Sequence, residues 1–299
     1  MMLKYSDTPL SEINESGKQI VVFKISGQNL DSTTVESFGK EWLKFSSFTD
    51  KEIKTAGDQY FDIVPDELYN GKLVLDAGCG TGRWSKYLSS KAGFIEAIDP
   101  SDAVFSAGRL LAGCQNVRIS KAEISHLPFD DNSFDFVFSL GVLHHIPDTK
   151  LAMNDCVKKL KKGGWFLVYL YYNLDNRNIF FKGLFYFSNL LRRMISGLPS
   201  AAKKLICDLL AIIIYMPLVL LARIFNSIGL KKLVSHIPLS YYADKSFKII
   251  RNDSLDRFGT PLEQRFSRKQ IKEMMEYCGL SAICFSEKEP YWHAIGNKV

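Results

Sequence analysis

The stretch Leu73–Arg83 (LVLDAGCGTGR) most constrains the fold, because it predicts a buried strand, a glycine turn and the start of a helix. Its apolar opening is typical of a parallel strand covered on both faces. Gly78, Gly80 and Gly82 follow at alternate positions, where glycine allows unusual backbone angles and lets a ligand approach bare N–H groups. Apolar side chains then recur at helical spacing from Trp84. The stretch therefore predicts a ligand site at a helix N-terminus.

The spacing of the glycines indicates the kind of ligand. Dinucleotide enzymes use G-x-G-x-x-G beneath a pyrophosphate. Here the pattern is D-x-G-x-G-x-G, with Asp76 directly before the turn. A carboxylate at this place repels phosphates and suits a cationic or amino-acid ligand. A nicotinamide dehydrogenase is therefore disfavoured, and a structural turn in another doubly wound fold remains the alternative.

Three further strand-like runs follow the glycine turn. Phe94–Ile98 leads into Asp99, about twenty residues beyond the glycines, where a carboxylate accepts hydrogen bonds from ribose hydroxyls. A turn acid that caps the next helix is the alternative for this residue. Asn116–Ser120 predicts the third strand and Ser133–Leu140 the fourth, which ends in GVLHHIP at 141–147. Open sheets of parallel strands place their chemistry at such strand ends.

The run at 73–83 resembles motif I of the class I S-adenosylmethionine (SAM) methyltransferases, and residues 72–170 are similar to a methyltransferase type 11 domain in four ordered motifs. The resemblance implies an α/β fold with a Rossmann-like, doubly wound sheet. Seven strands are expected, with an antiparallel C-terminal strand and a helical insertion. It also implies SAM as the cofactor and S-adenosylhomocysteine as the product.

The same resemblance assigns the SAM contacts. The acid and glycines of motif I hold the methionine half of SAM, and Asp99 holds the ribose. Glu123, four residues before Leu-Pro-Phe, is expected beside the adenine amino group, with the next backbone N–H on a ring nitrogen. The predicted cofactor-binding residues are Asp76, Ala77, Gly78, Cys79, Gly80, Gly82, Asp99, Pro100, Glu123, Ile124 and Leu140.

His145, and after it His144, are the candidates for a catalytic base. Removing a proton assists methylation of a hydroxyl, and histidine titrates near neutral pH. Paired histidines at this strand end are common in the resembling family, so ordering of the loop is the alternative role. Methyl transfer from a sulfonium needs in-line alignment above all, and a dedicated base is optional.

A basic, apolar segment departs from the family pattern. Twelve Lys or Arg face two acids between residues 176 and 251, a net charge of +10, and since the whole chain carries +6 the rest carries −4. The longest apolar run, Leu209–Ala222, is shorter than the ~20 residues of a spanning helix, and Pro217 is expected to interrupt it. A helical cap on the core, an interfacial membrane anchor and a nucleic-acid surface remain open. The last is least favoured, because long aliphatic runs separate the basic residues.

The chain is expected to divide into an N-terminal segment and lid (1–64), the SAM-binding core (65–173), the insertion (174–255) and a C-terminal helix with two strands (256–299). Lys161–Gly164 is predicted to end the helix that begins at Thr149. Ile20–Phe23 predicts a short edge strand or a segment packed on the core. Six cysteines without a C-x-x-C pair or metal-ligand spacing predict reduced thiols, no metal site and a cytoplasmic protein, with the inner membrane face as the second location.

These features predict a SAM-dependent methyltransferase that acts on a small-molecule, glycan or lipid-linked acceptor, on oxygen rather than carbon or nitrogen. The alternative from another class is a SAM-binding protein without transfer activity, whose insertion docks a membrane or a partner. No residue in the sequence encodes the acceptor atom or the oligomeric state.

Overall fold

A computed structural model describes residues 3–44, 48–174, 179–234 and 236–299, without the side chains at 41, 44, 180–182, 184, 200 and 231. The chain divides into two compact units, which we call the core (Met1–Asp175 with Leu262–Val299) and the insert (Asn176–Pro261). The last helix of the insert reaches Gly259, beyond residue 255 where the sequence placed the boundary. Each unit has its own apolar cluster.

The described strands, in chain order, are β1 (Ser11–Glu15), β2 (Lys18–Val22), β3 (Leu73–Ala77), β4 (Phe94–Asp99), β5 (Val117–Lys121), β6 (Phe134–Leu140), β7 (Leu160–Tyr169), β8 (Leu280–Phe285) and β9 (His293–Lys298). The described α-helices are α1 (Ser32–Lys44), α2 (Asp50–Tyr60), α3 (Arg83–Leu88), α4 (Ala103–Leu110), α5 (Thr149–Lys159), α6 (Ile179–Ser196), α7 (Ser200–Leu210), α8 (Met216–Ser227), α9 (Lys231–Val234), α10 (Phe247–Gly259) and α11 (Arg268–Tyr277).

All nine described strands form one sheet in the order β1-β2-β5-β4-β3-β6-β7-β9-β8. The strands from β2 to β7 in this order are parallel, and β9 runs antiparallel between β7 and β8. The sequence-based prediction of a doubly wound sheet with an antiparallel C-terminal strand is confirmed. The chain reverses direction across the sheet at β3, which has β4 on one side and β6 on the other, and ligands bind at such a switch point.

Side chains of the central strands point alternately to two apolar clusters. Phe136 and Phe138 of β6 belong to one cluster, and Val137 between them belongs to the other. All three side chains are fully buried. Burial on both faces explains why the central strands read as continuous apolar runs in the sequence.

The N-terminal hairpin β1–β2 extends the expected seven strands to nine. Ile20 of β2 lies opposite Ile119 of β5 in a parallel pair, and β1 pairs antiparallel with the other side of β2. Residues 20–22 therefore belong to an internal strand, and the exposed strand β1 forms the sheet edge. Only two positions of β2 are buried, so the sequence signal for this hairpin is weak.

The prediction that Lys161–Gly164 ends a helix is wrong. Helix α5 ends at Lys159, and Leu160 already has an extended backbone. The next residues continue β7, with an irregularity in its pairing to β6. Lys161 pairs with Asp135 at 2.7 Å, and this ion pair places the basic residue beside the neighbouring strand rather than at a helix end.

The insert consists of helices, the longest of which continues through Pro217. α7, a π-helical turn (Ala211–Tyr215) and α8 follow one another without a break. The expectation that Pro217 interrupts the run is therefore wrong. Proline is tolerated in the first turn of α8, and the wider π-helical turn before it accommodates the missing backbone N–H of the proline. By length and composition alone the helix Ala201–Ser227, of 27 residues, qualifies as a membrane-spanning candidate, although soluble proteins contain such helices too.

Candidate active site

Asp76 lies at the carboxyl end of β3, fully buried beneath the glycine loop. Its Oδ2 accepts a 2.7 Å hydrogen bond from the Ser85 hydroxyl of α3. Its Oδ1 has no hydrogen-bond partner among the described residues. Burial raises the pKa of Asp76 to about 7. A buried carboxylate oxygen without a donor is costly, so this atom indicates a place for a cationic or hydrogen-bond-donating ligand.

The three glycines of the loop have different surroundings. A Cβ on Gly78 would lie 2.5 Å from Val142, and one on Gly82 would lie 2.6 Å from Leu111. A Cβ on Gly80 would meet nothing within 4 Å, although its φ of +52° is in the left-handed region. The first and third glycines therefore permit close packing, whereas Gly80 faces open space where a ligand can approach.

Asp99 lies at the end of β4 and connects this strand to the glycine loop that follows β3. Its Oδ2 accepts a 3.0 Å hydrogen bond from the Gly80 N–H, and its Oδ1 accepts two from Ser101. Burial raises the pKa of this carboxyl above its usual value, and the hydrogen bonds oppose that shift. The carboxylate offers about four acceptor positions, so one remains on Oδ2.

Glu123 follows β5 and is almost fully buried. Its Oε1 accepts from the N–H and the hydroxyl of Ser26, and its Oε2 accepts from the Gly27 N–H at 3.1 Å. The segment after β2 therefore holds this carboxylate in place. One acceptor position remains by the same count. Ile124 begins the short 3₁₀ turn that comes next.

The remaining predicted cofactor residues line the same edge of the sheet. Ala77 is buried at the end of β3, and its carbonyl accepts from Ser139 at 2.7 Å. Cys79 is buried in the loop, and burial raises the pKa of its thiol well above the usual value. Leu140 ends β6, beside the loop that carries the histidines. Pro100 stands in the turn after β4.

The paired histidines differ in their environments. His144 is fully buried, stacks on Tyr171 with ring centroids 3.9 Å apart, and neither ring nitrogen has a hydrogen-bond partner among the described residues. Burial, with the nearby His145, holds the pKa of His144 well below its usual value. His145 Nδ1 lies 2.7 Å from the Leu262 carbonyl, to which it must donate. That bond fixes the ring of His145, whereas His144 is a neutral imidazole without such a bond in the described structure.

Helix α1 lies over the strand ends. The ring centroids of Phe38 and His145 lie 4.8 Å apart. Helix α1 also packs closely on the turn after β4, because a Cβ added to Gly39 would lie 3.1 Å from the Asp102 backbone nitrogen. The Trp42 carbonyl accepts from Ser106 of α4. The N-terminal segment thus covers both the histidine loop and the turn after Asp99.

Three tyrosines form an aromatic wall, and two of them, Tyr169 and Tyr171, were not assigned to the site from the sequence. Tyr169 and Tyr171 lie at the carboxyl end of β7 with ring centroids 5.9 Å apart, and Tyr60 of α2 meets Tyr169 edge-on at 5.1 Å. The signal in the sequence was a cluster of tyrosines at the end of the strand next to the one that carries the histidine pair. Gln264 and Arg265 also reach this region: the Gln264 N–H donates to the His144 carbonyl, and Arg265 lies over the Tyr171 ring.

Within the described ranges, no group of three or more His, Cys, Asp or Glu side chains could hold a metal ion.

Residues 75–168 match the family model of the methyltransferase domain. A demethylmenaquinone methyltransferase of Staphylococcus aureus is 36% identical over 98 residues, which are 31% of this chain and 41% of that protein. A SAM-dependent methyltransferase of Aquifex aeolicus is structurally similar, with 15% identity and a TM-score of 0.43, over 84% of this chain and 97% of that one. A Haemonchus contortus phosphoethanolamine N-methyltransferase is also similar, with 17% identity and a TM-score of 0.43, over 83% of this chain and 46% of that one.

The core of this chain carries a methyltransferase domain, assigned by the match over residues 75–168. The matched residues cover most of the stretch 72–170, for which the sequence implied the class I, SAM-dependent type. The chain spans 41% of the length of the curated relative that it matches.

Proposed function

We propose that this protein transfers a methyl group from SAM to an acceptor held at the carboxyl edge of its sheet. The observation that carries the proposal is the buried Oδ1 of Asp76, which has no donor within the described part of the chain and stands directly before the glycine loop. An ammonium group is a favourable partner for such a carboxylate, and the methionine half of SAM carries one.

The other site residues fit the same cofactor. In the proposed arrangement Gly80 leaves room for SAM to approach the loop, and the remaining acceptor position of Asp99 takes a ribose hydroxyl. The remaining position of Glu123 takes the adenine amino group, with Ser26 and Gly27 orienting the carboxylate. When bound, SAM supplies an electrophilic methyl on a sulfonium.

The acceptor is proposed to lie against the aromatic wall. Tyr171 and His144 are stacked, and Tyr169 contacts Tyr171 edge-on, so the wall suits a planar or apolar acceptor. Neither ring nitrogen of His144 has a hydrogen-bond partner in the described structure, whereas Nδ1 of His145 donates to the Leu262 carbonyl, so His144 is the group proposed to take a proton from an acceptor hydroxyl. This reverses the order in which the sequence ranked the two histidines.

The class of acceptor follows from the same wall. We retain a small-molecule, glycan or lipid-linked acceptor methylated on oxygen, because a neutral histidine assists removal of a hydroxyl proton. A quinone-type acceptor methylated on carbon is the second candidate. It is favoured by the flat aromatic surface and by the name of the Staphylococcus aureus relative, a demethylmenaquinone methyltransferase.

The proposed location is the cytoplasm. All six cysteines are free thiols, and five of them are buried. Unpaired thiols are typical of proteins from reducing compartments.

Calorimetry followed by a turnover assay tests the proposal. The protein should bind S-adenosylhomocysteine and not NAD(H), and Asp76→Asn should weaken that binding. Glu96→Gln is the matched control, since it neutralises another buried carboxyl, one that pairs with Arg118 on β5 and lies outside the loop. Labelled SAM and panels of hydroxylated and quinone acceptors then measure transfer. Binding without transfer to any panel would favour the non-catalytic alternative.

A further inference from the structure

The long helix of the insert has one side turned inward. Cys207, Ala211, Tyr215, Val219 and Ala222 recur every three or four residues and are all buried. All but Ala222 belong to the apolar cluster of the insert, together with Ile250 and Phe258 of α10. This stripe gives the insert a core of its own.

The other side of the same helix is apolar and exposed to solvent. Ile213 has 67% of its surface exposed, and only 28% of the most apolar window of the helix is buried. Helix α6 carries a second exposed apolar stripe. The exposed side chains are Leu205, Leu209, Ile212, Ile213, Ile214, Leu220, Leu221, Ile224 and Ile228 on and directly after α7–α8, and Ile179, Tyr186, Phe187, Leu190 and Met194 on α6. We call these residues the apolar surface of the insert. Soluble proteins rarely leave so large a set of aliphatic side chains uncovered.

The distribution of charge argues against a helix that crosses a bilayer. The charge-free part of the long helix, between Asp208 and Arg223, has 14 residues. At 1.5 Å per residue it is about 21 Å long, shorter than the hydrocarbon core of about 30 Å. Asp208 is held by a bidentate ion pair with Arg251 of α10, at 2.9 and 2.7 Å. A spanning position would carry this pair into the lipid.

The charge of the insert indicates which surface it meets. The basic excess of the chain lies in this segment, and Arg193, Lys204, Lys232 and Lys248 are exposed on its helices. Helices that carry both exposed cations and exposed apolar side chains are complementary to an anionic lipid surface, where lipid headgroups meet the cations and acyl chains meet the apolar residues.

We propose that the apolar surface of the insert docks the protein on the surface of an anionic lipid bilayer, with α7–α8 lying in the interface rather than crossing it. In this position the exposed stripe enters the boundary between headgroups and acyl chains, and the inward stripe keeps the insert folded. Docking does not depend on methyl transfer, so the two proposals can fail separately.

Flotation of the full-length protein with vesicles tests the docking. We expect binding to vesicles of phosphatidylcholine mixed with phosphatidylglycerol at about 0.1 M salt, and weaker binding at about 1 M salt, where charges are screened over about 3 Å. Vesicles of phosphatidylcholine alone should bind much less protein. Equal binding to both kinds of vesicle, or none to either, would overturn the proposal.

Two pairs of variants separate the apolar and the electrostatic contributions. Ile213→Asp should lower the vesicle partition coefficient about tenfold or more, whereas Leu10→Asp, equally exposed at 67% on the core, should not change it. The double variant Arg193→Glu with Lys204→Glu should lower the vesicle partition coefficient about fivefold for each of the two side chains. Lys4→Glu with Lys162→Glu, which reverses two exposed charges of the core, is the control. Equal effects within either pair would contradict the assignment of the surface.

Two further measurements distinguish other occupants of the surface. Sedimentation velocity without lipid should show a monomer, and a dimer abolished by Ile213→Asp would replace the bilayer by a second copy of the chain. Protein bound to membranes in cells should be released at alkaline pH without detergent. Extraction by detergent alone would show a spanning helix and overturn the interfacial position.

Discussion

The Gly80 N–H donates a 3.0 Å hydrogen bond to the Asp99 carboxylate, and this bond joins the glycine loop to the end of the neighbouring strand. Two residues that sequence motifs assign to different halves of SAM are thus one hydrogen-bonded unit. A change at either residue is expected to disturb the position of the other.

Asp99→Ala should therefore weaken binding of S-adenosylhomocysteine by about 1.5–3 kcal/mol, the range for lost hydrogen bonds to a charged group. Asp102→Ala, in the same turn but paired with Lys121, is the control and should bind like the parent. Calorimetry measures both, with a thermal melt to check folding. Unchanged affinity in Asp99→Ala would remove its assignment to the ribose.

Gly80→Val should abolish cofactor binding and leave a folded protein, because the added side chain enters open space that the ligand needs. Gly17→Val is a matched control. Gly17 also has a positive φ, and a Cβ added to it would meet nothing within 4 Å, but it lies in the β1–β2 turn. Backbone strain is therefore common to both variants, and only the first should lose binding in calorimetry. Retained affinity in Gly80→Val would make the loop a purely structural turn.

The raised pKa of Asp76, about 7, predicts that cofactor binding depends on pH. The carboxyl is neutral below that pKa and ionised above it, so affinity for an ammonium-bearing ligand should rise about eightfold between pH 6 and pH 7.5. Asp76→Asn should bind weakly and without this slope. The same raised pKa stabilises the ligand-free fold at low pH, because the folded protein holds the Asp76 proton more tightly than the unfolded chain does. This contribution to the free energy of unfolding is lost as the pH rises through about 7. Denaturation of the parent and of Asp76→Asn at several pH values measures it.

His144→Gln should lower kcat by about a hundredfold or more if this neutral ring accepts the acceptor proton. Affinity for S-adenosylhomocysteine should stay near that of the parent, since the role is chemical. His145→Gln should have a smaller effect on kcat, and the exposed His126→Gln none. A pH profile of kcat in which parent and His144→Gln coincide would show that alignment alone performs the reaction.

Leu210→Asp should destabilise the insert, because Leu210 packs against its inner apolar cluster and an unpaired charge there is costly. We expect a loss of about 2 kcal/mol or more in the free energy of unfolding. Ile213→Asp, on the exposed side of the same helix, should lose much less. Urea denaturation compares the two, and equal losses would mean that both sides of the helix are packed.

The sequence predicted the core well because its strands are buried on both faces and its glycine turn has few structural solutions. The apolar runs at 73–75 and 134–140 allow little besides central parallel strands, and D-x-G-x-G-x-G fixes the loop between strand and helix. The acids at 76 and 99 could be placed at strand ends for the same reason.

Other features depend on tertiary contacts that a local pattern does not encode. The hairpin β1–β2 is a weak signal in the sequence and forms because β5 offers it an edge. Glu123 could be located from its motif, but its contacts with Ser26 and Gly27 join residues almost a hundred positions apart. The continuity of the helix through Pro217 required the π-helical turn, which has no sequence signature.

The position of β9 has a consequence for how the protein is made. This strand is the last described strand in the chain, yet it lies between β7 and β8 in the sheet. While a ribosome synthesises the chain, the edge of β7 stays unpaired until the whole insert and β9 have emerged. The insert, with its own apolar cluster, can fold before the core is closed. The sheet of the core is therefore completed only after the insert has been synthesised.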